Sequence, residues 1–223
     1  MTTGPRSYGQ ACPLALSMDL LGERWTMLVV RELLMGPKRF GDLDRRLDGV
    51  GPNRLTKRLR LLQSHGVVDK IETGAYGLTP EGEGLREPVT ALAIWGLRLM
   101  TAEDLALARP DMVAMCVASV VDPLSLSGHH ATCEFDVGDV FTIVVAGGRM
   151  TTASGPAKTA PNARVTCAPT TFLAITAGYR DLDEALRSGD AHVDGSVEAG
   201  TAVFSMFTET YRANIHPAPM SAG

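Results

Sequence analysis

The chain has 223 residues, 45% of them hydrophobic, with 21 Lys and Arg against 25 Asp and Glu for a net charge of −4. That length and composition bury one or two ordinary cores. No window approaches the roughly 18 uninterrupted apolar residues of a membrane span, the N-terminus lacks the apolar run of a signal peptide, and no lipidation pattern occurs, so a cytoplasmic protein with no membrane partner is expected.

In chain order, Pro13 to Leu21 and Arg24 to Leu34 form two apolar-striped helical segments, with Trp25, Leu28 and Leu33 facing inward on the second and Gly36-Pro37 ending it. Phe40, Leu43 and Leu47 repeat at helical spacing. Asp48-Gly49-Val50-Gly51 then has the length of a helix-turn-helix turn. In the next segment Gly51 serves as N-cap and Pro52 as first helical residue. Leu55, Leu59 and Leu62 share one stripe, and Asn53, Arg54, Lys57 and Arg60 project from the other side. Gly66 stops this helix. Val67 to Ile71 and Tyr76 to Thr79 read as two strands around a turn at Thr73-Gly74-Ala75. Helices, a basic helix and a hairpin describe an α-rich winged helix.

Residues 38–60 hold eight Lys or Arg against three Asp, a net charge of +5. Residues 1–101 carry 14 basic and 11 acidic side chains, and the remainder carries 7 and 14. Halves of opposite sign suggest two jobs, and only the first has the footprint for phosphate contacts. Arg54 and Lys57, in the first turns of the basic helix, are placed to read base edges. Asn53 and Thr56 read bases or hold phosphate, Lys38, Arg39 and Arg58 hold the backbone, and Lys70 stands on the wing. The plainer alternative is that these charges form a solvated face.

Residues 12–100 resemble the HxlR-type winged helix-turn-helix regulators. The resemblance is carried by Cys12-Pro13, by Leu20-Leu21-Gly22-Glu23-Arg24-Trp25-Thr26, by Arg31-Glu32-Leu33-Leu34, and by Gly36-Pro37-Lys38-Arg39-Phe40-Gly41-Asp42-Leu43. It continues through Gly51 to Leu59, His65-Gly66-Val67-Val68 and Tyr76-Gly77-Leu78-Thr79-Pro80-Glu81-Gly82. It implies a homodimeric bacterial or archaeal transcription factor whose partner is double-stranded DNA with a palindromic operator. Some HxlR-type regulators sense oxidants through a cysteine in this N-terminal segment. Cys12, at a helix N-terminus near Arg residues, is accordingly a redox candidate beside its reading as a structural Cys.

Thr79-Pro80-Glu81 caps a further helix that Pro88 breaks or kinks, after which Leu92, Trp95 and Leu99 fall on one face. That face packs inward or pairs with a second subunit, and the resemblance favours the dimer. The winged-helix domain is placed at residues 1–101 and a linker at 102–110.

Residues 111–216 form a second, α+β domain, followed by a tail at 217–223. Asp111 to Val121 reads as a helix. Thr132 to Asp136, Val140 to Ala146, Arg149 to Ala153 and Ala163 to Cys167 read as strands, with Gly147-Gly148 a hairpin turn. Helices follow at Pro169 to Ala177 and Leu182 to Arg187, then a short strand near His192 to Gly195 and a last helix through Ala202 and Phe207. Val145 to Met150, Thr170 to Ile175 and Leu186 to Ser196 give this half a resemblance to the sterol carrier protein fold. Proteins of that fold enclose an apolar tunnel, which implies Phe141, Ile143, Phe172, Ile175, Phe204 and Phe207 as linings for a small hydrophobic ligand. The alternative for each is ordinary core.

No P-loop, nucleophile elbow or Cys or His pair at metal-ligand spacing occurs, and His129-His130 stands alone. No catalytic residue, metal site or cofactor is therefore expected. Three readings remain: a DNA-binding homodimer with a ligand-sensing second domain, the same regulator with a second domain that only supports dimerisation, and a lipid carrier or scaffold whose winged helix binds protein.

Overall fold

A computed structural model describes residues 7–97, 99–101, 103–104 and 107–214; the expected tail at 217–223 and parts of the expected 102–110 linker lie outside them. The chain divides into two compact units, Met1–Val89 and Thr90–Gly223.

The first unit runs α1 (Pro13–Leu21), α2 (Thr26–Leu34), α3 (Phe40–Arg46), α4 (Pro52–Ser64), β1 (Val68–Lys70), β2 (Tyr76–Leu78) and α5 (Pro80–Glu83), and the division falls within α6 (Arg86–Leu97). β1 and β2 pair antiparallel, with Val68 opposite Leu78 and Lys70 opposite Tyr76. The core collects Val29, Val30, Leu33 and Leu34 of α2, Leu43 of α3, and Leu55, Leu59 and Leu62 of α4, each no more than 3% exposed. Leu28 departs from expectation. Because α2 starts at Thr26, the stripe that meets the core runs through residues 26, 29, 30, 33 and 34, and Leu28 falls outside it at 38% exposure. On α1 only Leu21 is buried.

A fully buried carboxylate ties α2 to α3. Glu32 Oε1 accepts from Arg31 Nη2 at 2.7 Å, and Oε2 accepts from Arg46 Nε at 2.8 Å. Two guanidinium partners are what a carboxylate in an apolar interior requires.

The second unit continues with α7 (Pro110–Ala118), β3 (Ala131–Asp136), β4 (Val140–Ala146), β5 (Arg149–Ser154), β6 (Ala163–Cys167), α8 (Pro169–Thr176), α9 (Leu182–Ser188), β7 (Ala191–Gly195) and α10 (Val197–Asn214). Its sheet has the order β5-β4-β3-β6-β7. Every pairing is antiparallel except β3 with β6. Gly147 and Gly148, with φ of 58° and 68°, make the tight β4–β5 turn, whose two left-handed positions glycine occupies without steric cost. Helix α10 packs along β3, β6 and β7. Ile94 and Leu97 of α6 lie against the core of this second unit, so its contacts begin earlier in the chain than residues 102–110.

Candidate nucleic-acid interface

Helix α4 is presented by its own sequence. Gly51 holds φ 74° and ψ 144°, a backbone open to glycine, and Pro52 opens the helix behind it. The three leucines anchor one face, leaving Asn53, Arg54, Lys57 and Arg60 exposed on the other. Arg39, ahead of α3, is also exposed. On the hairpin, Lys70 is exposed and its ammonium lies 5.3 Å from the centre of the Tyr76 ring, a cation–π contact that holds it at the wing.

Three of the expected DNA contacts also have partners within the protein. Lys38 is buried at 6% exposure, and its Nζ donates to the carbonyls of Glu32 at 2.8 Å and Gly36 at 3.3 Å. Its backbone bridges Tyr76 in extended geometry. Successive side chains of an extended backbone point to opposite sides, so Lys38 turns in where Arg39 turns out. A phosphate role for Lys38 is thereby corrected to a structural one. Arg58 is only 17% exposed in its side chain and lies 3.4 Å from Glu23 Oε2, at the flank of the basic face. Thr56 Oγ1 donates to the Pro52 carbonyl at 2.8 Å, committing its proton within the helix.

Leu92, Trp95 and Leu99 are 55%, 58% and 66% exposed. Helix α6 ends at Leu97, which leaves Leu99 in the following turn.

The tunnel expected of the second unit is filled. Phe141, Ile143, Phe172, Ile175, Phe204 and Phe207 are at most 2% exposed. Phe172 meets Phe135, Phe141, Phe204 and Phe207 at centroid distances of 5.5, 5.5, 5.4 and 6.4 Å. Phe135 also stacks on Phe141 at 5.3 Å. Rings at these separations occupy the space a ligand needs, so the six residues are corrected from tunnel lining to packed core. An open groove of about 430 Å³ does lie between α8, α9 and α10, and of the six residues Ile175 and Phe204 are part of its lining. Its two arginines are already engaged, Arg180 with Asp190 at 2.7 Å and Arg212 with the Gly178 carbonyl at 2.9 Å.

Among the described residues no group of three or more His, Cys, Asp or Glu is arranged to hold a metal, and no helix is long and apolar enough to cross a membrane. His129 and His130 are exposed. Cys12 is half-buried at the N-cap of α1. Burial pushes the Cys133 and Cys167 thiols up to about 11. Because the thiolate is the nucleophile, maleimide at about pH 8 is expected to modify Cys12 well before Cys133 or Cys167, as read by peptide mass mapping; equal rates would contradict this burial. The raised values also mean that both thiols favour folding below the unfolded pKa and lose that contribution as pH rises from about 9 through about 11.

Comparison with known proteins places both units. Residues 20–104 match the HxlR-like helix-turn-helix family. Over 93 residues, 38% of this chain and 67% of the relative, the chain is 42% identical to an HTH-type transcriptional regulator of Synechocystis.

The chain belongs to the HxlR-like helix-turn-helix family.

The HxlR-like unit is also 38% identical over 86 residues to an HTH-type transcriptional regulator of Mycobacterium tuberculosis. That match covers 36% of this chain and 54% of the relative, so the chain spans about half the length of its mycobacterial relatives. Residues 98–213 belong to the alkyl sulfatase C-terminal family. A solved structure of the sec-alkylsulfatase Pisa1 from Pseudomonas sp. is 22% identical, covering 44% of this chain and 16% of that one, with a TM-score of 0.42.

Proposed function

We propose that the protein is a homodimeric transcriptional regulator that works in the cytoplasm and reads a palindromic DNA operator through α4. The observation that carries this reading is α4 itself, whose leucine face is buried and whose Asn53, Arg54, Lys57 and Arg60 face is exposed, with Arg39 and Lys70 as further exposed cations. Arg54 and Lys57 read base edges, and the other exposed cations hold phosphates. The exposed Leu92, Trp95 and Leu99 supply the apolar surface for a second subunit. A filled phenylalanine interior supports a second unit that serves assembly, ahead of one that carries a hydrophobic ligand within its core.

The test is fluorescence anisotropy of the protein on the intergenic DNA beside its own gene, against random DNA of equal length, over a salt series. Preferential binding that weakens with salt is the expected result. Arg54→Ala is expected to cost about 1–3 kcal/mol on the preferred sequence and to relax preference at one base pair per half-site. Unchanged affinity of this variant for both DNAs would reject α4 as the recognition helix.

A further inference from the structure

Trp25 is the one non-glycine residue with positive φ among the described residues, at 83°. Such a backbone costs on the order of 1–3 kcal/mol and persists where the surroundings fix it. Here it sits at the N-cap of α2 and turns the chain so that the Arg24 guanidinium lies 5.5 Å from the centre of the Trp25 ring. A Cβ on Gly49, in the turn before α4, would come within 3.8 Å of Trp25 Cη2, so the indole lies against the helix-turn-helix turn. Glu23, Arg24 and Trp25 then line an open cleft of about 340 Å³ with Arg54, Lys57 and Arg58 of α4.

Four cations and one carboxylate surround this space. Glu23 is drawn toward Arg58 at 3.4 Å, while Arg24, Arg54 and Lys57 are exposed. With four cations against one carboxylate the cleft is net positive, and a concave surface of that balance focuses positive potential and concentrates anions there. Arginine side chains suit a tetrahedral oxyanion, because the planar guanidinium offers paired N–H donors. The indole forms part of the cleft wall, with the Arg24 guanidinium against its ring. Nothing in the basic periodicity of α4 points to Arg24, which lies in the joint between α1 and α2.

We propose that this cleft is a phosphate seat, with Arg24 as the cation that completes it from outside the recognition helix. The phosphate comes from the DNA backbone or from a free phosphate compound that competes with DNA for Arg54 and Lys57. The DNA source rests on the function proposed above. In that case Arg24 fixes the register of α4 without reading sequence.

The chain has two tryptophans, and the wild type and its Arg24→Gln variant share Trp95, so the difference between their emission changes reports on Trp25 in the cleft. Each protein is titrated in separate arms with the preferred duplex, with a random duplex and with inorganic phosphate; salt dependence of binding to both duplexes is measured alongside. If the source is DNA, Arg24→Gln lowers the salt slope by about 1 on operator and random duplex alike and leaves their ratio unchanged, and Arg24→Lys restores the slope. If the source is a free compound, inorganic phosphate saturates the Trp25 signal without DNA, and Arg24→Gln abolishes that response. An unchanged slope together with no Arg24-dependent response to phosphate overturns the seat, and the DNA reading then survives through the Arg54→Ala result. Conversely, loss of all salt-dependent DNA binding with a retained Arg24-dependent phosphate response removes the DNA reading and leaves the seat standing.

Discussion

Replacing Glu32 by Gln is expected to destabilise the first unit by about 3 kcal/mol, near the low end of the cost of breaking a buried ion pair. The carboxylate is completely buried and holds Arg31 and Arg46 at 2.7 and 2.8 Å. The variant keeps the volume and removes the charge, leaving two guanidinium groups facing a neutral amide. Their side chains are 27% and 15% exposed, so water recovers part of the loss. A cost of this size is a large share of the total stability of a small domain. The measurement is hydrogen exchange resolved by peptide on the full chain. Protection should fall in peptides from α2, α3 and α4, with those from β3, β4 and α10 unchanged. Glu32→Leu combined with Arg46→Leu should recover much of the loss, because the pair is then replaced by apolar packing. Full protection of α2 in Glu32→Gln would mean that the carboxylate does not hold these helices together.

The same region shows what local sequence reveals. Helix α4 is legible because everything that defines it is local: Gly51 and Pro52 at the start, leucines at helical spacing, and Gly66 just beyond the end. Lys38 is not. Its role depends on a bridge to Tyr76, 38 positions along the chain, and a basic residue beside Arg39 looks like surface until that pairing sets its direction. Glu32 is hidden for a related reason. Its partner Arg46 belongs to another helix, and the remaining signal is a charge set among Val29, Val30, Leu33 and Leu34 on a buried stripe. The place of Arg24 beside α4 is not legible either, because the turn that carries it has Trp25 in a left-handed backbone with no glycine to mark it. In the second unit the strands and the Gly147-Gly148 turn are legible from alternation and turn chemistry. The parallel pairing of β3 with β6, made across an intervening hairpin, is not.

Whether that second interior is open or filled is likewise decided by residues far apart in sequence, and Phe172→Ala tests it. Five of the six phenylalanines of the chain meet there, and Phe172 touches the other four. Truncating a fully buried Phe costs about 3–5 kcal/mol, from lost transfer free energy and from the cavity that incomplete relaxation leaves behind. Loss of three edge-on ring pairs and one tilted pair places this site toward the upper part of that range. Chemical denaturation followed by circular dichroism should show a lower midpoint for the transition of the second unit, with little change in its slope. The variant also separates a filled core from a carrier tunnel. A dry, apolar cavity of this kind binds benzene, so benzene should raise the midpoint of Phe172→Ala while leaving the wild type unmoved. A carrier tunnel predicts the opposite pattern: a wild type already stabilised by benzene, and a truncation that costs less than about 1 kcal/mol because the ring had no close neighbours to lose. That outcome would restore Phe141, Ile143, Phe172, Ile175, Phe204 and Phe207 as ligand contacts. The ring distances of 5.3 to 6.4 Å argue that the phenyl groups bind one another instead.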